Sequence, residues 1–300
     1  MSNETEVAKR HIVLEGAVPE VAYGELIGEL DPTIRRPPKT DWVGLSNVHQ
    51  GEQTSPGATG VTIRFVARGR ESYHINDRGH HLSAGQVMVA PHLNGADCEV
   101  RRVDRAGTLG ICTLVHCAPA ELEWVRGPLV FSGQSLRLGA LLKEGALGLL
   151  AARSSKLEMA RGLIANLRAE LPVLARDTLS QEAAVLGSKP STRFEMVRRA
   201  HLARAYLDAN TDRVVELVEL ARAVGVSQFR LLTAFQHCFG ETPASHHRKL
   251  RMRLALEEAR RRKAPIAAVV DEFGFASASS FSHAYRRAFG RAPVWTKAGN

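Results

Sequence analysis

The chain has 300 residues, 44% of them apolar and 24% charged, which excludes a disordered polyelectrolyte and leaves material for two ordinary cores. Its 40 Lys and Arg against 31 Asp and Glu give a formal charge of +9, and all of that excess lies from residue 193 onward, where 19 basic residues meet 10 acidic ones. A neutral region followed by a cationic one points to a polyanionic partner, because neutralising phosphates releases condensed counterions.

Residues 1–10 are polar and carry no apolar core, so no signal peptide is expected. The best apolar stretch, 138–152, is interrupted by Lys143 and Glu144, so no spanning helix and no membrane partner are expected either. The expected location is the reducing cytoplasm. Cys98, Cys112, Cys117 and Cys238 form neither a zinc spacing nor a CxxC pair. Cys112 and Cys117 fall on or beside one strand, which leaves a redox switch open next to the role of small buried apolar side chains.

Residues 40–130 read as β. In 61–67, Val61, Ile63, Phe65 and Ala67 alternate with Thr62, Arg64 and Val66. Strands follow at 71–75, 80–82 and 86–90, with a turn over Asn76, Asp77, Arg78 and Gly79 and another at Gly85, and then at 109–116. Short strands at this spacing suggest a small barrel or sandwich enclosing a ligand-sized cavity. The run LSAGQVMVAP at 82–91 resembles the turn and strand of cupin-like sensor domains. Arg64, between Ile63 and Phe65, either faces solvent, which the alternation favours, or turns inward to receive an anion such as a carboxylate.

His74, His80, His81 and His92 raise a metal hypothesis, with the 76–79 hairpin bringing His74 opposite His81. Metal-binding cupins, however, resemble a pattern of two histidines spaced HxH, a nearby Glu and a later His. Here His80 and His81 are adjacent and point to opposite faces, so no metal and no cofactor are expected. Arg64, His74, His81 and His92 are retained as candidate effector-binding residues.

Helices are expected at 136–150 and 156–171, the second with Leu157, Ala160, Leu163, Ile164, Leu167 and Leu171 as an apolar stripe that covers the barrel or forms a dimer seam. Residues 187–192 (GSKPST) read as a linker, setting domains of 1–186 and 193–300, the first with its barrel at about 40–130 and helices at about 135–175.

Past a helix at 194–209, one pattern occurs twice, fifty residues apart. Ser227 meets Ser277, Leu231 meets Phe281, Ala234 meets Ala284, and Phe235 meets Tyr285. Phe239, Gly240 and Pro243 likewise meet Phe289, Gly290 and Pro293. Apolar positions at i, i+4, i+8 and i+12 between an opening Ser and a closing Gly describe a capped helix. A shorter helix precedes each copy, at 217–224 ending on Gly225 and at 266–273 ending on Gly274, which makes each unit helix, turn, helix. Residues 243–262, free of Gly and of internal Pro, form a rigid connecting helix.

The runs LARAVGVSQFRLLTAFQHCFGETP and IAAVVDEFGFASASSFSHAYRRAFGRAP resemble the paired helix-turn-helix domain of AraC/XylS-type bacterial transcription regulators, over about the last hundred residues. The expected fold class is therefore α+β: a cupin-like β barrel with helices, then an all-α domain of two helix-turn-helix units joined by a long helix. The resemblance implies a transcription regulator, commonly an activator, that binds promoter DNA as a homodimer, engages RNA polymerase when activating, and is controlled by a small-molecule effector in the N-terminal domain. No catalysis is implied. Two other readings remain open: a cupin-type metal enzyme fused to a DNA-binding domain, and a dimeric DNA binder without an effector.

The resemblance also makes the second helix of each unit the recognition helix, in successive major grooves about 34 Å apart. From the first, Gln228, Phe229, Arg230, Leu232, Thr233 and Gln236 would project; from the second, Ala278, Ser279, Ser280, Ser282, His283 and Arg286. Gln reads adenine edges and Phe229 packs against a thymine methyl, so the first helix has the greater reading capacity. Related proteins often carry Arg where Thr233 and His283 stand, and neither makes the bidentate guanine contact, so modest specificity per subunit is expected. Arg248, Lys249, Arg251, Arg287 and Arg291 are the candidate phosphate contacts. Membrane-surface binding fits less well, because the basic residues are scattered over short helices without an aromatic face.

Overall fold

The computed structural model describes residues 11–14, 21–29, 41–50, 52–54, 59–75, 78–92, 98–102, 107–185 and 189–294. The chain divides into two compact units, Met1–Ala183 and Ala184–Asn300. Among the described residues no helix is long and apolar enough to cross a membrane.

Among the described residues the first unit holds eleven strands: β1 His11–Leu14, β2 Val21–Glu29, β3 Asp41–Gln50, β4 Glu52–Thr54, β5 Gly60–Arg68, β6 Arg70–Ile75, β7 Arg78–Ser83, β8 Gln86–His92, β9 Cys98–Arg102, β10 Thr108–His116 and β11 Leu129–Ser132. They form a seven-stranded sheet of order β1-β2-β3-β10-β5-β8-β11 and a four-stranded sheet of order β4-β9-β6-β7. Among the described residues only β2 and β3 run parallel. Both sheets are open in this order, so the expected barrel is found among the described residues as two sheets without closure by hydrogen bonding. The strands also begin well before residue 40, where the sequence reading placed none.

β5 explains why alternation misled. Residues 60–66 are buried on both faces of the strand, because β7 packs across β5 and β8 while α1 (Arg137–Ala151) packs against β5, β10 and β3. A strand covered on both sides has no solvent side on which to leave a polar residue. α2 runs Lys156–Ala184, thirteen residues past the expected end at 171, with Pro172 inside it.

The second unit contains α3 Pro190–Ala209, α4 Leu217–Val224, α5 Gln228–Phe239, α6 Pro243–Arg262 and α7 Ala278–Phe289. α3 starts four residues earlier than expected and takes up Pro190, Ser191 and Thr192 of the expected linker, with proline at its first position, where a missing N–H costs nothing. Residues 186–188 lie outside the described residues.

Two small cores organise this unit. Leu207, Leu220, Val224, Leu231 and Phe235 pack α3, α4 and α5 together, and Met252, Leu256, Ile266, Val269, Phe281 and Tyr285 do the same around α6 and α7. The expected helix at 266–273 is instead two short 3-10 turns, Ile266–Ala268 and Asp271–Phe273. Val269, at φ −127° and ψ −13°, interrupts it. Two adjacent β-branched residues, both buried, let packing rather than helix propensity set this backbone.

Candidate nucleic-acid interface

α5 is held from beneath and bare above. Leu231, Ala234 and Phe235 are 0–2% exposed, and Phe235 meets Phe239 edge-on at 4.7 Å between ring centroids. Ser227 caps the start, its Oγ accepting the Arg230 N–H at 3.4 Å, and Gly240 closes the end at φ 69°. Gln228, Phe229, Arg230, Gln236 and His237 face outward, and Phe229 is 77% exposed. Leu232 and Thr233 are half-buried, and the Thr233 hydroxyl donates to the Phe229 carbonyl at 3.0 Å, which weakens its candidacy for base contact.

α7 repeats the underside. Phe281 is 0% exposed and Tyr285 7%. Its outer face carries Ser279, Ser280, His283, Arg286 and Arg287. Ala278 is half-buried against the core cluster, which removes it from the candidate reading face. The Ser282 hydroxyl donates to the Ala278 carbonyl at 2.8 Å, and that of Ser280 donates to the Ser277 carbonyl at 2.8 Å, so both already have backbone partners.

Between the start of α6 and the face of α7 lies a cavity of about 440 Å³ lined by Thr242, Ala244, Ser245, Arg248, Lys249 and Arg287 among others. Thr242 caps α6, accepting the Ser245 N–H at 3.2 Å, and Pro243 follows it. A helix N-terminus beside three cationic side chains is chemically suited to phosphate oxygens. Thr242 and Ser245 were missed in the sequence reading, although a threonine followed by proline at the head of an apolar-periodic run is a helix-start signal. Lys249 is not bare: its Nζ donates to Glu241 at 2.9 Å. Burial opposes charge on Glu241, yet hydrogen bonds from Lys249 and Ser245 hold its carboxyl below the ordinary carboxylate range. Arg248, Arg287 and Arg291 are exposed.

Arg251 corrects the expectation. It is 4% exposed, its guanidinium donates through Nε to the Phe273 carbonyl at 2.8 Å and through Nη2 to the same oxygen, and it lies 5.1 Å over the Phe275 ring. The side chain serves as a tie between α6 and the second turn rather than as the expected phosphate contact.

In the first unit Arg64 is likewise buried, at 3% exposed, and stacks 4.6 Å over the Tyr73 ring. Tyr73 donates to Glu71, which also accepts the Thr108 hydroxyl at 3.2 Å. Burial, then the neighbouring Glu71 charge, raises the Tyr73 hydroxyl well above its ordinary value. Arg64 thus belongs to a packed polar network, and the expectation of solvent exposure is overturned. The histidine pairing is corrected too. Ile75 pairs with Arg78, so the turn is two residues tighter than expected, His74 lies opposite Gly79, and His81 lies opposite Ser72. His81 is exposed and its Nδ1 lies 2.8 Å from the Ser72 hydroxyl. The side chains of His74 and His92 lie outside the described residues. Among the described residues no group of three or more His, Cys, Asp or Glu is gathered in a metal-binding arrangement.

Residues 220–297 match the family described as "Helix-turn-helix domain". The probable transcriptional regulator LumQ of Photobacterium leiognathi is 30% identical over 89 residues, which are 30% of this chain and 36% of LumQ. The regulatory protein SoxS of Escherichia coli is 29% identical over 89 residues, 30% of this chain and 83% of SoxS. This chain thus spans about a third of LumQ's length. Among solved structures, ToxT of Vibrio cholerae aligns over 79% of this chain and 88% of its own at 9% identity with a TM-score of 0.29. The AraC-like transcriptional activator CuxR aligns over 71% and 72% at 16% identity with a TM-score of 0.27.

Proposed function

From a C-terminal helix-turn-helix domain of the AraC type, we propose that the chain is a sequence-specific, DNA-binding transcription regulator whose first unit takes a small-molecule effector. One observation carries the reading: α5 presents Gln228, Phe229, Arg230 and Gln236 from a helix anchored by three buried residues, with Phe229 left 77% exposed. A bare phenylalanine ring on a rigid helix loses its water contact when a thymine methyl covers it, and the flanking Gln and Arg supply donors for adenine and guanine edges. The uneven charge supports the same partner, with the whole excess of +9 falling at 193–300.

On this reading the protein works in the cytoplasm on promoter DNA as a homodimer. Activation, with RNA polymerase as the further partner, is the mode the resemblance implies. The first recognition helix reads bases while the second, through Arg286 and Arg287, and α6, through Arg248, mainly anchor, and dimer avidity together with DNA shape supplies the remaining specificity. No catalytic step belongs to this reading.

The test is footprinting of the full-length chain on the promoter region beside its own gene. Protection of two successive major grooves on one face of the duplex, lost in Gln228→Ala/Arg230→Ala, is the expected result. Protection that covers all sequences equally, and is unaffected by that double substitution, would reduce the protein to a non-specific DNA binder.

A further inference from the structure

A second cavity, of about 410 Å³, lies wholly within the first unit, where α2 passes the end of β10 and the start of β5. It is separate from the Arg64–Tyr73 network between the sheets, and nothing in the DNA-binding reading uses it. Its size falls near the lower end of the range for small-ligand sites, roughly 300–1,000 Å³. Leu171, Leu179, Val61 and Val115 make it mostly apolar.

Three hydrogen-bond donors line it without partners among the described residues. Trp124 is 5% exposed, yet its indole N–H has no acceptor among the described residues. Arg168 is fixed from behind, with Nε and Nη2 donating to the Asp41 carboxylate at 3.0 and 2.9 Å and Nη2 also donating to the His116 carbonyl at 3.1 Å. That grip leaves Nη1 without a partner among the described residues, already oriented. Arg176, two turns further along the same helix, makes no hydrogen bond or ion pair among the described residues.

Acceptors are fewer. Pro172, between the two arginines, lacks the N–H that would meet the Arg168 carbonyl. Glu121 is the one lining carboxylate, and its Oε2 accepts the Ala118 N–H at 2.7 Å. Cys117 adds no charge, since burial, foremost, pushes its thiol up to about 11.

We propose that this cavity is a binding site for a small monocarboxylate with an apolar body, the carboxylate held by Arg176, Arg168 Nη1 and the Trp124 indole N–H, and the body covered by Leu171, Leu179 and the valines. As the seat of a regulatory effector it rests on the reading of an effector-controlled regulator; as a binding site it stands apart from that reading.

The test uses the full-length protein with 4-phenylbutyrate as the probe and 4-phenylbutyramide as its uncharged match, read by melting shift and titration calorimetry. The acid should raise Tm and bind at least tenfold tighter than the amide, a ratio in the range of one charge-assisted hydrogen bond. Arg176→Ala, at an exposed position, should bring the acid down to the affinity of the amide. Glu121→Gln, which keeps an acceptor for Ala118, should tighten the acid, and Ala175→Phe should abolish binding of both. Equal binding of acid and amide, undiminished binding by Ala175→Phe, or no melting shift with millimolar acid would each overturn the site. Should the acid bind as expected and leave promoter affinity unchanged, the site stands and effector control through it fails.

Discussion

The two copies of the fifty-residue pattern share an underside and differ in nearly everything above it. Both second helices are twelve residues long, both open on a serine cap and both close on a glycine near φ 69°. The ends of the preceding segments match as well. Val226 N–H reaches the Ala221 carbonyl at 3.0 Å and Phe275 N–H reaches that of Val270 at 3.0 Å, each after a glycine in the left-handed region. Yet one preceding segment is a regular α-helix and the other two 3-10 turns. What is repeated is therefore the way the second helix enters and is packed, while the first segment need only supply apolar side chains. The outward faces are under no such constraint, and they diverge: Gln228, Phe229, Arg230 and Gln236 on one, serines, His283 and two arginines on the other.

If the cores are equivalent, Phe235→Ala and Phe281→Ala should each cost about 3–5 kcal/mol, since each ring is 0% exposed and leaves a cavity that its neighbours cannot fill. Urea unfolding of the two variants would check it, and a cost below about 1 kcal/mol for either would mean that copy is not a close-packed core. The next effect concerns a tie that both copies carry in different strength. Arg251→Ala removes two donors from the Phe273 carbonyl, whereas in the first copy Arg199 of α3 gives one to the Val224 carbonyl, and the loss should cost about 2–3 kcal/mol. Arg248→Ala should change stability by less than about 0.5 kcal/mol, yet weaken binding to all DNA sequences and lower the salt slope by about one.

That contrast also shows what the sequence made legible. The connecting helix at 243–262, α4 at 217–224 and both twelve-residue helices follow from periodicity, caps and glycine stops, because those signals are local. Arg251 does not, because whether an arginine on a mixed helix points out or in depends on a carbonyl 22 residues away. Arg64 fails for the same reason: β5 alternates, but both of its faces are covered by elements distant in sequence. The 3-10 turns at 266–273 were hidden because the pattern marks which residues are buried and not the hydrogen-bond ladder between them. In the first unit, β1 and β2 lack the clean alternation that marked the later strands.

The faces are tested by base preference. Gln228→Ala or Arg230→Ala should cost about 1–3 kcal/mol of discrimination at single base pairs, whereas Ser279→Ala and His283→Ala should weaken every sequence by a similar small factor. Selections on randomised sites would measure it; sharp base preference lost with His283→Ala would reverse the assignment of reader and anchor.

Acid should also tell the copies apart. Burial, and secondarily the Arg204 charge, pushes His201 down to about 3, and its ring meets Phe239 of the first copy edge-on at 5.1 Å. The unfolded chain takes up this proton near pH 6.5, while the folded chain takes it up only near 3. Between those values the unfolded state binds more protons, so this contribution to stability falls as pH falls, by at most about 1.4 kcal/mol per unit. His201→Phe should flatten the slope over that window. Among the described residues the buried histidines His201, His246 and His247 stack on or bond to Phe239, Phe235, Asp208 and Asn210, all of which precede α6, so an unchanged slope would remove this difference between the copies.

The smallest expected effect concerns the caps. Ser227 makes one bond, to Arg230 N–H at 3.4 Å, whereas Ser277 and Ser280 exchange two, each backbone N–H meeting the other's hydroxyl at 3.1 Å. Ser227→Ala should therefore cost about 0.5 kcal/mol and Ser277→Ala about 1 kcal/mol or slightly more. Replacing Ser280 by Ala should lower stability by a similar amount while changing DNA affinity little, because its hydroxyl is engaged in closing the helix start. The first copy carries Arg230 at that third position and so leaves it outside the cap and available to DNA. A large loss of DNA affinity in Ser280→Ala with unchanged stability would show that the hydroxyl leaves the cap on binding, and the second copy would then read more than its unbound geometry implies.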